Sequence, residues 1–164
     1  MKMETLKQLY IEELRDLYSA ESQIVKALPR MVGAATSTKL KEAFKSHLQE
    51  TEEQVQRLEQ IFAALGESPR GKTCEGMKGL LKEGAEFMDE NAEPEIMDAG
   101  LISAAQRVEH YEMAGYGTVR TYAELLGDEN AVELLEDTLK EEKAANSKLS
   151  KIAVNINVEA NRAA

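Results

Sequence analysis

Glu109 and Glu112 are the residues of this sequence whose positions most need a chemical reason. They lie in the stretch from Ala105 to Gly117, AQRVEHYEMAGYG, inside a long helical pattern. A helix turns about 100° per residue, so Ile102, Ala105, Tyr116 and Ala123 all fall within about 40° of Glu109. Glu112 falls between that group and Val108 and Val119, while His110 and Tyr111 lie on the flank or outside. Both carboxylates therefore point inward, where an unpaired charge is very costly. The same anomaly recurs along the chain. Glu21 sits at the centre of one apolar stripe, His47 inside a second with Glu50 on its edge, and Glu142 near the centre of another. A single such Glu is ordinarily a half-exposed residue whose stem packs, and a core His is ordinarily a hydrogen-bonded structural residue. Five inward carboxylates in phase are different, because repulsion and desolvation would raise their pKa values or open the fold. Lys26, Arg30 and Lys45 point outward, and Arg120 is about three turns from Glu109, so side-chain cations do not compensate. A pair of divalent metal ions, held by carboxylate oxygen and imidazole, does.

Four long helices and one short one must position these groups. The first is expected over 5–34, with Leu6, Tyr10, Leu14, Leu17, Tyr18, Val25, Leu28 and Val32 inward. Pro29 predicts a kink or local break there. Ser37 or Thr38 is a plausible N-cap for a second helix over 39–65, which turns Leu40, Phe44, Val55, Leu58, Ile61 and Phe62 inward and Glu52 and Glu53 outward. Gly66 ends it, with Pro69 soon after. A glycine-rich crossover follows, holding a short amphipathic helix over 75–90. The third long helix covers 95–126, and the fourth covers 129–157 after the Gly127-Asp128 turn, with Lys140, Glu141 and Lys143 on its flank or outside. The last eight residues should fray.

Short turns make the first and last pairs of long helices antiparallel hairpins. Glu21 and Glu50, 29 residues apart, are about equidistant from the first turn, and Glu112 and Glu142, 30 apart, from the second. Packing the hairpins together brings all four to one centre, with His47 and Glu109 one turn away. Bundles that hold two irons use a Glu from each of two helices and a Glu-x-x-His pair from each of the others. This chain departs from that pattern. It has His47-x-x-Glu50 in reverse order, Ala145 where a second His would stand, and Glu109 in addition.

The segments YSAE (Tyr18 to Glu21), SHLQET (Ser46 to Thr51), AQRVEHYE (Ala105 to Glu112) and EEKAANSKL (Glu141 to Leu149), with KALPRM and YGT, resemble the bacterial YciF/YciE family over nearly the whole chain. That resemblance implies an all-α, ferritin-like four-helix bundle with an extra helix, a homodimer, a di-iron-type centre and an association with stress. It names no substrate. Iron is the expected metal, with manganese the alternative, and the expected ligands are Glu21, His47, Glu50, Glu109, Glu112 and Glu142.

The rest of the sequence mainly excludes. The 164 residues are expected to form one domain rich in Glu, Ala, Leu and Lys, with three Pro. A net charge of −10 argues against nucleic acid or an anionic membrane as partner. No apolar run approaches the roughly 20 residues of a membrane span, and the charged N-terminal segment lacks a signal-peptide core, so a cytoplasmic location is expected. Cys74 is the single cysteine, which excludes an internal disulfide and is expected to be incidental. Ile11 and Leu101, at stripe margins, are expected to serve a two-fold dimer contact. Tyr10, Tyr18 and Tyr116 read as core aromatics, and His110 as a surface residue. Two function classes remain open: a di-metal redox protein acting on Fe²⁺, peroxide or oxygen, and a structural helical bundle with a vestigial or stabilising metal site.

Overall fold

A computed structural model describes residues 3–162. Five helices account for almost all of them: α1 (Leu6–Ala34), α2 (Thr38–Leu65), α3 (Glu75–Met88), α4 (Pro94–Leu126) and α5 (Glu129–Arg162). Local chemistry explains the boundaries. Thr5 and Gln8 close a capping box at the start of α1, and the Ser37 hydroxyl accepts from the Leu40 amide at the start of α2. Gly66 and Gly127 end α2 and α4 with φ of 68° and 75°, a left-handed conformation that a side chain disfavours.

α1 packs on α2 and α4, and α5 packs on α4 and α2, so the four long helices form a square. Neighbours run antiparallel. Thr36 of α1's exit meets Asp98 of early α4, while Glu21 meets Tyr116 further along. α3 solves the return path. It begins beside Ser19 at Cys74 and ends where Asp89 pairs with Arg30, lying along α1 and α4. Its contact with α4 is close: a Cβ at Gly100 would sit 2.0 Å from the Phe87 ring. The crossover thus carries the chain back to the Thr36 end, where α4 starts. There the buried Asp98 carboxylate accepts from the Thr36 and Ser37 amides and the Thr36 hydroxyl, tying α4 to the α1–α2 turn.

The core is split into two apolar clusters. One holds Ile24, Leu28, Met31, Phe44, Leu101 and Leu149; the other holds Tyr10, Leu14, Leu17, Phe62, Val119 and Leu135. Each fully buried aliphatic or Phe side chain contributes about 1.5–3 kcal/mol. That burial offsets the cost of the polar layer lying between the clusters.

Several expectations need correction. α1 runs without a break through Pro29, which lies on the exposed face, where water can bond the Val25 carbonyl that lacks its helical donor. Ile24, not Val25, is the fully buried residue of that turn. α5 does not fray at 157; burial of Ile156 and Ala160 carries it to Arg162. Ile11 and Leu101 are buried within the chain, so neither supplies apolar surface to a second copy. Tyr111, expected on the flank or outside, is on the flank and half-buried. Its hydroxyl donates to Asp16 (2.6 Å) and lies 2.9 Å from the Cys74 sulfur, which also caps α3 by accepting from Met77 N. Cys74 is therefore a buried tie between α1, α3 and α4 rather than an incidental residue.

Candidate metal centre

The polar layer is built by one turn of each long helix. Glu21 comes from α1, His47 from α2, Glu109 and Glu112 from α4, and Glu142 from α5, and all five are buried. Ligand atoms of His47, Glu109, Glu112 and Glu142 lie within 4.8 Å of one another. The Nε2 of His47 is 3.1 Å from Oε1 of Glu109, yet neither ring nitrogen has an aligned hydrogen bond. Both oxygens of Glu112 and of Glu142, one of Glu21 and one of Glu109 are likewise buried without a hydrogen-bond partner. Buried polar atoms are nearly always satisfied, so this concentration of orphans in one place is abnormal for a closed core.

Glu21 is held by its neighbour. The Tyr116 hydroxyl donates to Oε1 of Glu21, leaving Oε2 buried without a partner. Burial, then the charge of Glu142, push the Glu21 carboxyl up to about 8. Burial also raises Glu109 and Glu112 well above the carboxylate range, reinforced by Glu142 and Glu21. For His47 burial acts downward, but the contact with Glu50 and the charges of Glu142 and Glu21 outweigh it, and the imidazole is raised. Tyr116 is pushed well up by burial and by the adjoining carboxylates. Without a cation, the layer must bind protons at neutral pH.

Glu21 and Glu50 fall outside that tight group of four, and Glu50, unlike the rest, is not buried. Its side chain is 39% exposed, with Oε2 3.6 Å from Nδ1 of His47. The α2 residue in the tight group is thus His47, one turn from the position that equal distances from the turn assigned to Glu50. Ala145 lies on a cavity wall. His110 is exposed, its Nδ1 2.8 Å from the Gln106 carbonyl. Arg120 pairs with Glu136 and Glu124, away from the layer.

Phase arithmetic missed two supports. Tyr116 was legible as a core aromatic but not as the donor to Glu21. Glu141, read as a flank residue, takes both terminal nitrogens of Arg57 (2.6 and 2.7 Å) and the Gln54 amide (3.0 Å). That bidentate pair fastens α5 to α2 beside Glu142. A flank position reveals exposure, not which helix it will meet, so the sequence carried no signal for the pairing.

Residues 5–162 match the family described as Domain of unknown function (DUF892). The chain belongs to this family. Within reach of it lies Protein YciF of Escherichia coli strain K12, 42% identical over 156 residues, or 94% of either chain. The crystal structure of the E. coli stress protein YciF superposes with a TM-score of 0.91, covering 94% of this chain and 98% of that one. YcfI from Rhodopseudomonas palustris, whose name assigns it a structural role only provisionally, is 46% identical with a TM-score of 0.88, covering 91% and 95%. A Bacillus anthracis structure described as ferritin-like and diiron-carboxylate gives a TM-score of 0.70 at 16% identity, covering 92% and 99%. That last likeness establishes the ferritin-like bundle. Family membership and fold both agree with the resemblance noted in the sequence. Among the described residues, no helix is long and apolar enough to cross a membrane.

Proposed function

We propose that this chain is a di-metal carboxylate protein, with iron in the centre, that acts as a redox protein toward peroxide or oxygen. The observation that supports it is the group of orphaned donors: six carboxylate oxygens and both nitrogens of His47, buried together without partners. Hard anionic oxygens with one imidazole suit iron or manganese and fit no disulfide, nucleotide or thiolate chemistry. Glu21, His47, Glu109, Glu112 and Glu142 would hold the metal, with Glu50 at the rim. A bound pair of irons would supply two electrons to one oxidant.

The chain's own part is to position and to exclude. Tyr116 holds one oxygen of Glu21 and leaves the other buried and free to meet a metal. The Arg57–Glu141 pair holds the helix that carries Glu142 against α2. Apolar clusters above and below keep water from the carboxylates. Metal binding displaces the protons that the raised pKa values retain, so uptake should release protons. Turnover would draw electrons from a reductant outside the chain.

Stopped-flow mixing of the Fe²⁺-loaded protein with hydrogen peroxide tests the proposal. A fast phase near about two irons per chain is expected, lost in Glu112→Ala while the helical spectrum is kept. The second reading, a structural bundle with a stabilising metal, draws on the name of the YcfI relative. It takes over if the parent binds iron but oxidises it no faster than free Fe²⁺ in buffer. A parent that takes up no metal removes the redox proposal entirely.

A further inference from the structure

Beside the carboxylate layer, a cavity of about 100 Å³ crosses the bundle between α2 and α5. Its walls are apolar: Ile24, Leu28 and Met31 of α1, Phe44 of α2, Val108 of α4 and Leu149 of α5. Five polar residues, Ser46, His47, Glu50, Glu109 and Lys148, also line it. His47 and Glu109 form one end, and Glu50, Ser46 and Lys148 stand at the α2–α5 side, where Ala144 and Lys148 are exposed.

The opening has a cause in the sequence. Ala43 on α2 and Ala144 and Ala145 on α5 line it, so the two helices meet there through methyl groups. Ala145 follows Glu142 by three residues, the place where the usual di-metal pattern has a second imidazole. An imidazole at that position would take up part of that space. What the chain lacks as a ligand it has gained as space.

We propose that this cavity is a binding site for a small neutral apolar molecule of short-alkyl size, which rests against His47 and Glu109. Volume sets the size: at about 100 Å³ the cavity is smaller than the ~150 Å³ that takes benzene, so the guest is a short alkyl molecule. Wall chemistry sets the class, because a polar guest would lose its water contacts without replacement. His47, buried and with both nitrogens unpartnered, lines the same space, so the site ends on a group able to meet a ligand or a metal. As a substrate site this rests on the di-metal reading, which would make the guest the molecule oxidised; the binding itself does not.

The test is a titration of the full chain with dissolved propane, followed by NMR of ¹³C-methyl alanine and methionine, with iron counted on the same preparations. Saturable shifts at Ala27, Ala43, Ala105 and Met31 are expected. Ala43→Leu and Ala27→Leu each add three carbons to the wall and should weaken propane at least about tenfold while iron content stays at the parent value. Two variants on different helices guard against one that fails to fold. No saturable shift in the parent, or equal affinity in both folded variants, overturns the proposal. So does acetate binding as tightly as propane. Iron without propane binding sinks the pocket and leaves the di-metal reading standing; propane binding without iron does the reverse.

Discussion

Replacing Glu21 by Gln should make the metal-free protein more stable at neutral pH, although it removes a buried side chain's native chemistry. The reasoning begins with the raised pKa. Glu21 is fully buried and its carboxyl is lifted from 4.5 to about 8, first by burial and then by Glu142. Between those values the folded chain holds a proton that the unfolded chain has released. Stability therefore falls as pH rises, by about 1.4 kcal/mol per pH unit for one group. The contribution is whole below pH 4.5 and is lost progressively up to about 8. From pH 4.5 to 7 the parent should lose about 3 kcal/mol through this residue alone. Gln is isosteric, keeps a carbonyl to accept from Tyr116, and has no proton to lose. The melting temperature of Glu21→Gln should thus gain roughly 6–12 °C on the parent across that range, at about 2–4 °C per kcal/mol. Calorimetry of chelator-treated protein at pH 4.5, 6 and 7 measures it. Excess Fe²⁺ should then raise the parent's melting temperature and raise the variant's less, because binding to the folded state stabilises by mass action. Parent and variant curves that run parallel over the whole range would show that the Glu21 carboxyl is not held protonated, and would remove the premise.

The remaining predictions concern other parts of the molecule. Glu50→Ala should weaken iron affinity by about tenfold, whereas Glu53→Ala, on the exposed face beside Arg57, should leave a competition titration unchanged. Asp98→Ala leaves the Thr36 and Ser37 amides without their acceptor and should cost about 2–3 kcal/mol in denaturant unfolding. Arg57→Ala breaks the bidentate tie to Glu141 and should cost about 1–3 kcal/mol. It should also loosen iron binding, because the tie holds α5 next to α2; an unchanged dissociation rate would separate the tie from the centre.

How much of this was legible in the chain depends on what each residue's position reports. Helical phase needs only the residue's own neighbours in sequence, so the inward direction of Glu21, Glu109, Glu112 and Glu142 could be read directly. His47 could be placed in its stripe for the same reason. Turn chemistry is equally local, which is why Ser37, Gly66 and Gly127 marked real helix ends. Counting residues from a turn is less exact, because helices cross at an angle and advance 1.5 Å per residue. That is enough to exchange Glu50 for His47 in the tight group. The extent of α5 was also beyond local reading, since burial of Ile156 and Ala160 against other helices holds its last turns.

Only the tertiary structure decided which partners those inward and flanking groups would find. Tyr116 bonding Glu21, Glu141 gripping Arg57, and Tyr111 joining Asp16 to Cys74 each link residues far apart in sequence, from 37 to 95 positions, across different helices. Such contacts depend on rotation and height of whole helices, which no single stripe encodes. The cavity beside His47 is the clearest case. Ala145 was legible only as a missing imidazole and Ala43 and Ala144 not at all, and the three line an opening only when α2 and α5 face each other there. Sequence alone determined that acids had to meet inside an all-helical bundle. Packing determined which of their atoms were left without partners, and so where a metal has reason to bind.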